Sequence, residues 1–194
     1  INSRIDSSAG GTANFFKPVA GKNTLRFLPP IPGKDAFIVG YQHFIKIERL
    51  QKTVKVSCAR RMENGRCPVC EEADRLQMSN NPLDQEAARK LRPKMQVYAN
   101  VIDRNDPGTV KVYGFGKMVW DGLVRILEDS EEGGDMTNPL KDGFDIIITK
   151  TGEKLNTKYS VSAARKDSAL ASDDTEIDRI IQNQHDLTKY TKVQ

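Results

Sequence analysis

The sequence predicts a mainly β protein with peripheral helices and an inserted zinc-binding subdomain. Three observations support this prediction. Several segments alternate apolar and polar residues with a period of two, which is typical of strands. Only a few stretches show the spacing of a helix. One of the two histidines and all three cysteines fall in a 28-residue window that runs from His43 to Cys70.

Segments with the composition of strands follow one another along the chain. In residues 36–47 every second residue from Phe37 to Ile47 belongs to one face. Residues 94–103 and 109–115 are separated by a stretch rich in Asp, Pro and Gly, which predicts a turn and therefore a hairpin. The other predicted strands cover residues 25–28, 54–57, 144–149 and 157–163.

Helical spacing is limited to residues 70–91, 117–128 and 175–183, and Asp173 with Glu176 forms a possible cap for the last of these. Five or six of these strands, with few helices and a metal-bound insertion, fit a small Greek-key barrel. Among barrels that bind oligonucleotides, the OB-fold is the leading candidate. We therefore predict a flexible arm (residues 1–14), an OB-fold core (15–168) with a zinc subdomain inserted at about 43–92, and a C-terminal helical segment (169–194).

The charge is unevenly distributed. The net charge is +4, but residues 22–125 carry 19 basic and 11 acidic residues, whereas residues 126–194 carry 9 basic and 14 acidic residues. A basic region is the electrostatic footprint of a polyanionic partner, although scattered lysines on solvated surfaces are also common. No apolar run approaches the roughly 20 residues of a membrane span, and no signal-peptide pattern is present. We therefore expect no membrane partner. The three cysteines all fit one metal and leave none for disulfides, which predicts a protein of a reducing cytoplasm.

The spacing His43-x14-Cys58-x8-Cys67-x2-Cys70 predicts one structural zinc ion. Zinc takes thiolate and imidazole ligands tetrahedrally, and a Cys3His set leaves no open position for catalysis. The alternative, a redox Cys-x2-Cys pair, requires a thioredoxin-like context and leaves the third cysteine unexplained. His185 is the other candidate for the fourth ligand. Three thiolates with a bound water would be a possible catalytic site, but we expect no enzyme.

A nucleic-acid surface is predicted on the hairpin of residues 94–115. If Val97 and Val112 face the core, alternation places Tyr98, Lys111, Tyr113 and Phe115 on the opposite surface. Aromatic rings stack on any base, and cations hold the phosphates. The alternative is that Tyr113 and Phe115 pack under the following helix. Further candidate contacts are Arg92, Lys94, Lys46, Arg60, Arg61 and the weaker candidate Tyr159.

Several short motifs occur in the order of one known family. They are Leu25-Arg26-Phe27-Leu28-Pro29, His43, Cys58, Cys67-Pro68-Val69-Cys70, Tyr98-Ala99-Asn100-Val101, Lys111-Val112-Tyr113-Gly114-Phe115-Gly116-Lys117 and Trp120-Asp121. Over roughly residues 15–168 the chain resembles the gene 32 protein family, the single-stranded-DNA-binding proteins of tailed bacteriophages. Family members typically carry a basic N-terminal arm and an acidic C-terminal tail, and neither is evident in residues 1–12 or 188–194.

The resemblance implies an OB-fold with a zinc subdomain and a cleft for single-stranded DNA. It implies that His43, Cys58, Cys67 and Cys70 bind zinc and that Tyr98 and Tyr113 lie in the cleft. It also implies a role in DNA replication, recombination and repair in the cytoplasm of an infected bacterium, self-association along single-stranded DNA, and contacts with phage replication and recombination proteins. An RNA-binding or zinc-ribbon regulatory module is the alternative, because stacking platforms and zinc knuckles also serve RNA.

Overall fold

The computed structural model describes residues 14–129, 135–153 and 156–193. Residues 1–13 of the predicted arm lie outside the described residues. Its last residue, Asn14, accepts a hydrogen bond from the amide of Val112. The described strands are β1 (Phe15–Phe16), β2 (Gly21–Phe27), β3 (Phe37–Ile47), β4 (Lys52–Ser57), β5 (Lys94–Asp103), β6 (Asp106–Phe115), β7 (Phe144–Thr151) and β8 (Lys158–Asp167). The described helices are α1 (Ala59–Glu63), α2 (Pro68–Gln77), α3 (Pro82–Leu91), α4 (Lys117–Glu128) and α5 (Asp174–Gln182).

Strand β5 is the centre of the sheet. One edge of it pairs with β6 in the predicted antiparallel hairpin. On the other edge its first half pairs with β3 and its end pairs with β2. Strand β2 continues to β7 and then β8, so the sheet order is β1-β6-β5-β2-β7-β8, with the β3–β4 hairpin branching from β5. Residues 58–92, with helices α1, α2 and α3, are inserted between β4 and β5.

The sheet is open over the described residues. No pairing joins β1 and β8, which end the path of strands in the part of the chain that is described. The eight described strands and the five described α-helices around them confirm the mainly β architecture with peripheral helices. Closure of the sheet into a barrel is not observed within the described ranges. The longest described helix is α4, with 12 residues. Across the same residues, no helix has the length and apolar character needed to cross a membrane.

The β5–β6 hairpin is buried on both faces. On one face, which we call the first face, Val97 and Ala99 join Leu123 of α4 and Ile146 of β7 in the main core. On the opposite face, the second face, Ile102 and Val110 pack with Leu28, Leu170, Ile177 and Ile180. Helix α5 begins where the sequence predicts, because the Asp173 side chain accepts a hydrogen bond from the amide of Glu176 at 2.9 Å. A helix from far along the chain thus covers a surface that local alternation leaves open to solvent.

A buried ion network ties β2 to the end of β8. Arg26 is fully buried, and its Nε donates to Asp145 of β7 at 2.9 Å. The same carboxylate accepts hydrogen bonds from Arg104, and both arginines also donate to backbone carbonyls of residues 168–170. Loss of solvation lowers the pKa of Arg26, and the charge of Asp145 opposes that shift. Each of the three guanidinium nitrogens of Arg26 donates a hydrogen bond to an oxygen acceptor, and the buried charge is therefore tolerated.

Candidate metal centre and nucleic-acid interface

Four elements converge to bring the predicted zinc ligands together. His43 lies in the second half of β3, and Cys58 follows β4 and precedes α1. Cys67 is the residue before α2, and Cys70 lies in the first turn of that helix. Pro68 occupies the first helical position, where its missing N–H costs no hydrogen bond. All four side chains are buried, and their ligand atoms lie within 4.8 Å of one another.

The distances between the ligand atoms fit a tetrahedral zinc ion. Zinc–ligand bonds of about 2.3 Å to sulfur and about 2.0–2.1 Å to nitrogen place sulfurs about 3.8 Å apart and sulfur about 3.6 Å from nitrogen. The Sγ of Cys58 lies 3.5 Å from that of Cys70 and 4.0 Å from that of Cys67. His43 Nε2 lies 3.3 Å and 3.7 Å from the Sγ atoms of Cys67 and Cys70. The cluster can therefore hold one metal ion.

A hydrogen bond at the other ring nitrogen orients the histidine. Nδ1 of His43 lies 2.6 Å from the carbonyl oxygen of Leu91, which ends α3. Because a carbonyl only accepts, Nδ1 carries the proton and Nε2 offers its lone pair to the cysteines. Metal-bound histidines are typically held in this way by a backbone oxygen or a carboxylate. His185 lies elsewhere, with Nε2 at 3.2 Å from the carbonyl of Val110, so the structure favours His43 as the fourth ligand.

The thiols perturb one another strongly in this buried space. Burial raises the pKa of the Cys70 thiol to about 12, and the sulfurs of Cys58 and Cys67 add to that rise. Although burial opposes it, hydrogen bonds at Cys70 and His43 lower the pKa of Cys67 to about 6. Three buried thiolates repel one another without a cation, whereas a metal ion favours the deprotonated form of each. The donor set therefore fits zinc.

The predicted alignment of the aromatic rings is wrong. Ala99 pairs with Tyr113, whereas Tyr98 pairs with Gly114, so Tyr98 and Tyr113 lie on opposite faces of the hairpin. Val112, expected to share a face with Val97, lies on the side of Tyr98 instead. Tyr98 and Tyr113 are each only 2% exposed and Phe115 is 4% exposed, because helices and loops cover both faces. The hairpin therefore presents no single exposed surface of these rings.

Several of the predicted cations have acidic partners. Lys111 is largely buried and pairs with Asp103 and Asp106. Arg60 and Arg92 share the carboxylate of Asp74, at 2.7 and 2.6 Å. Lys46 pairs with Glu48, and Arg61 lies over the ring of Tyr41. Lys94 is exposed and lies 6.0 Å from the centre of the Phe44 ring. Of this set, Lys94 keeps the charge most available to a ligand.

Three of the predicted rings line one groove on the first face. Tyr113, Phe115 and the half-buried Tyr159 border a cavity of about 320 Å³, which we call the ring groove. Its other lining residues are Pro18, Gln96, Gly114, Gly116, Lys117, Met118, Val119 and Thr157. Burial raises the pKa of Tyr113 well above its ordinary value, and Tyr159 adds to that effect, so the Tyr113 ring is neutral. Tyr159, the weakest sequence candidate, presents the most accessible of the three rings.

Lysines surround the ring groove. Lys117 lines it and is exposed, with an ion pair to Asp121 one helical turn away. Lys150 pairs with Tyr159 across β7 and β8 and donates to the carbonyl of Pro18, a lining residue. Lys17 precedes the lining residue Pro18 and is exposed, whereas Lys158, next to Tyr159 in β8, lies on the opposite face of that strand. Sequence reasoning missed Lys17, Lys117 and Lys150, although their positions beside strand ends are visible in the sequence.

A family model matches most of the chain. The model of the family described as gp32 DNA binding protein like matches residues 19–194. The chain belongs to this family. The resemblance to the gene 32 proteins is thereby confirmed, and the protein is a gp32-like DNA-binding protein. The family is one of DNA-binding proteins and not of enzymes. A search of curated proteins found no match.

Proposed function

We propose that this gp32-like chain binds single-stranded DNA without reading its sequence. The ring groove is the observation that supports this proposal most directly. It combines aromatic side chains from β6 and β8 with lysines from three other segments. Base–aromatic stacking tolerates any base, because every base has a π-face. A duplex hides those faces, so such a groove selects unpaired strands.

Each part of the groove has a distinct task in the proposed complex. The accessible ring of Tyr159 stacks on an unpaired base, and the buried rings of Tyr113 and Phe115 form the floor beneath it. Lys117, which lines the groove, and the exposed Lys17 beside it neutralise phosphates and release condensed counterions. The exposed ion pair of Lys117 with Asp121 is no obstacle, since pairs one helical turn apart contribute only about 0.3–0.5 kcal/mol.

The wider roles follow from the same proposal. We assign the sheet to the OB-fold class, with the zinc subdomain inserted between β4 and β5, and zinc as a structural ion. Coating of single-stranded DNA would serve phage replication, recombination and repair in the cytoplasm of an infected bacterium. Self-association along the strand and contacts with phage replication and recombination proteins belong to the same role. The predicted contacts at Arg92, Lys46, Arg60 and Arg61 stay predictions.

The test is a pair of substitutions at Tyr159. Tyr159→Leu keeps an apolar side chain but removes the π-face, and we expect it to weaken oligo-dT binding by about ten-fold, or roughly 1.4 kcal/mol. Tyr159→Phe keeps the ring and serves as the matched control, with affinity close to that of the native protein. Fluorescence titrations with oligo-dT, oligo-rU and duplex DNA over a salt series provide the measurement.

Three outcomes would contradict the proposal. Equal affinity of the Leu and Phe variants would remove Tyr159 from the binding surface. Equal or tighter binding of oligo-rU would favour an RNA-binding module. An affinity for oligo-dT that does not change with salt would exclude the phosphate contacts, because log K for single strands falls by about 0.7 per phosphate contacted.

A further inference from the structure

The second face carries a cluster of rings and lysines outside the ring groove. We call it the lysine patch and define it by Phe44, Lys55, Lys94, Lys189, Tyr190 and Lys192. Phe44 and Lys55 are cross-strand partners on β3 and β4. Lys94 pairs with Gln42, two residues from Phe44 on the same face of β3. Lys189, Tyr190 and Lys192 belong to the segment after α5, which passes over Tyr98.

Tyr190 of the lysine patch packs against two further rings. Tyr190 stacks on Tyr98 with ring centres 5.1 Å apart and an interplanar angle of 25°. Phe15 meets the edge of Tyr190 at 5.3 Å. The Tyr98 hydroxyl donates to Gln42 at 2.9 Å, and Gln42 in turn donates to the carbonyl of Tyr190. Beside these rings lies a cavity of about 260 Å³, bordered also by Lys55, Lys189 and Lys192.

The lysines of the patch have no acidic partners among the described residues. Three of them instead lie near rings. The ammonium groups of Lys55 and Lys94 are 5.7 and 6.0 Å from the centre of Phe44, and that of Lys189 is 5.2 Å from the centre of Tyr190. An exposed cation–π contact contributes only about 0.5–1 kcal/mol, so a phosphate can readily displace it. Moving the lysines towards phosphates would uncover Phe44 for a base.

We infer that the lysine patch is a second binding site for single-stranded nucleic acid, on the opposite face of the sheet from the ring groove. This inference rests on the proposed function and extends it. Four cations with no acidic partner in the described part of the chain, beside half-buried rings, match alternating phosphates and unstacked bases. An acidic peptide would use the cations alone and leave the rings without a role. The two sites together lengthen the stretch of DNA that one molecule occupies.

Two matched triple variants test the second site. Lys55→Gln, Lys94→Gln and Lys189→Gln together remove three cations from the patch. The control combines Lys90→Gln, Lys141→Gln and Lys166→Gln, which removes the same charge from exposed positions elsewhere. The measurement is the slope of log K against log salt concentration for an oligo-dT of about 30 nucleotides. We expect the magnitude of this slope to be smaller by about 2 in the patch variant, since each lost phosphate contact contributes about 0.7. The slope of the control should match that of the native protein.

Stoichiometry with a short oligonucleotide separates two sites from one. For an oligo-dT of about six nucleotides, within the range of single-site sizes, we expect two molecules per native or control chain and one per patch variant. One molecule per native chain would overturn the second site, as would a patch variant with the slope and stoichiometry of the control. Stronger competition by polyglutamate than by oligo-dT, lost in the patch variant, would also overturn it in favour of an acidic peptide. If native protein bound no oligo-dT at all, the proposed function itself would fail.

Discussion

The zinc lobe, residues 58–92, and the β-sheet differ in what holds them together. The sheet encloses a continuous apolar core that includes Leu25, Leu123 and Ile146. The lobe has no comparable core, and its buried cluster consists of the three cysteines with Tyr41, Ala59 and Val69 packed around them. A region with so little apolar area to bury cannot offset the loss of chain entropy by itself. From this difference we expect metal binding and lobe folding to be one process, whereas the sheet should fold without the metal.

Removal of one ligand should produce the largest effect and should separate the two regions. Cys70→Ser replaces a thiolate in the first turn of α2, and we expect loss of zinc and unfolding of α2 and α3 while β5 and β6 stay folded. The free energy of zinc binding that the variant would lose is on the order of 10 kcal/mol, the usual range for structural zinc in small domains. Elemental analysis and amide hydrogen exchange measure the two consequences.

The control for this variant is Met78→Ala, since Met78 belongs to the same lobe but is 85% exposed. It should retain zinc and native exchange rates. Equal loss of protection in the lobe and in the β5–β6 hairpin would show that the two regions fold together, and full zinc occupancy in the Cys70 variant would exclude Cys70 as a ligand.

A substitution in the sheet core should have the converse pattern. Leu123→Ala removes a fully buried side chain of α4 that packs in the main core. We expect the free energy of unfolding to fall by about 2–5 kcal/mol with unchanged zinc affinity. Leu140→Ala, at an exposed leucine, should change it by no more than about 0.5 kcal/mol. Urea denaturation measures the free energy of unfolding, and zinc titration measures the zinc affinity. A large drop in zinc affinity for the Leu123 variant would show that the sheet core and the zinc lobe are energetically coupled.

The same contrast explains which features could be predicted from the sequence. The metal ligands were predictable because ligand chemistry and short spacing restrict the choice, and the positions of most strands along the chain followed from alternation. The faces of the hairpin were not, because they depend on the pairing of Ala99 with Tyr113 and on coverage by α5 from 70 residues further on. The pairing of Lys111 with Asp103 and Asp106 could not be predicted either, because the fold determines which side chains meet.

The smallest effect is expected where the segment after α5 is joined to the loop before β3. Asp186 pairs with Lys34 at 2.9 Å and accepts hydrogen bonds from the hydroxyl and amide of Thr188. The ammonium of Lys34 and then Thr188 lower the pKa of Asp186 to about 2. The folded pKa lies below the unfolded value of about 3.9, so this contribution is complete above about pH 4 and is lost as the pH falls towards 2.

Asp186→Asn should therefore reduce the free energy of unfolding by at most about 1 kcal/mol at pH 7, since exposed ion pairs contribute little. The difference from the native protein should shrink as the pH falls from 4 to 2. Loss of a bound metal at acid pH would affect both proteins equally, so subtraction at each pH removes the metal contribution and isolates that of the carboxylate. Asp142→Asn, at another exposed aspartate, is the matched control. A difference that grows on acidification would mean that the Asp186 contact does not stabilise the segment over the sheet.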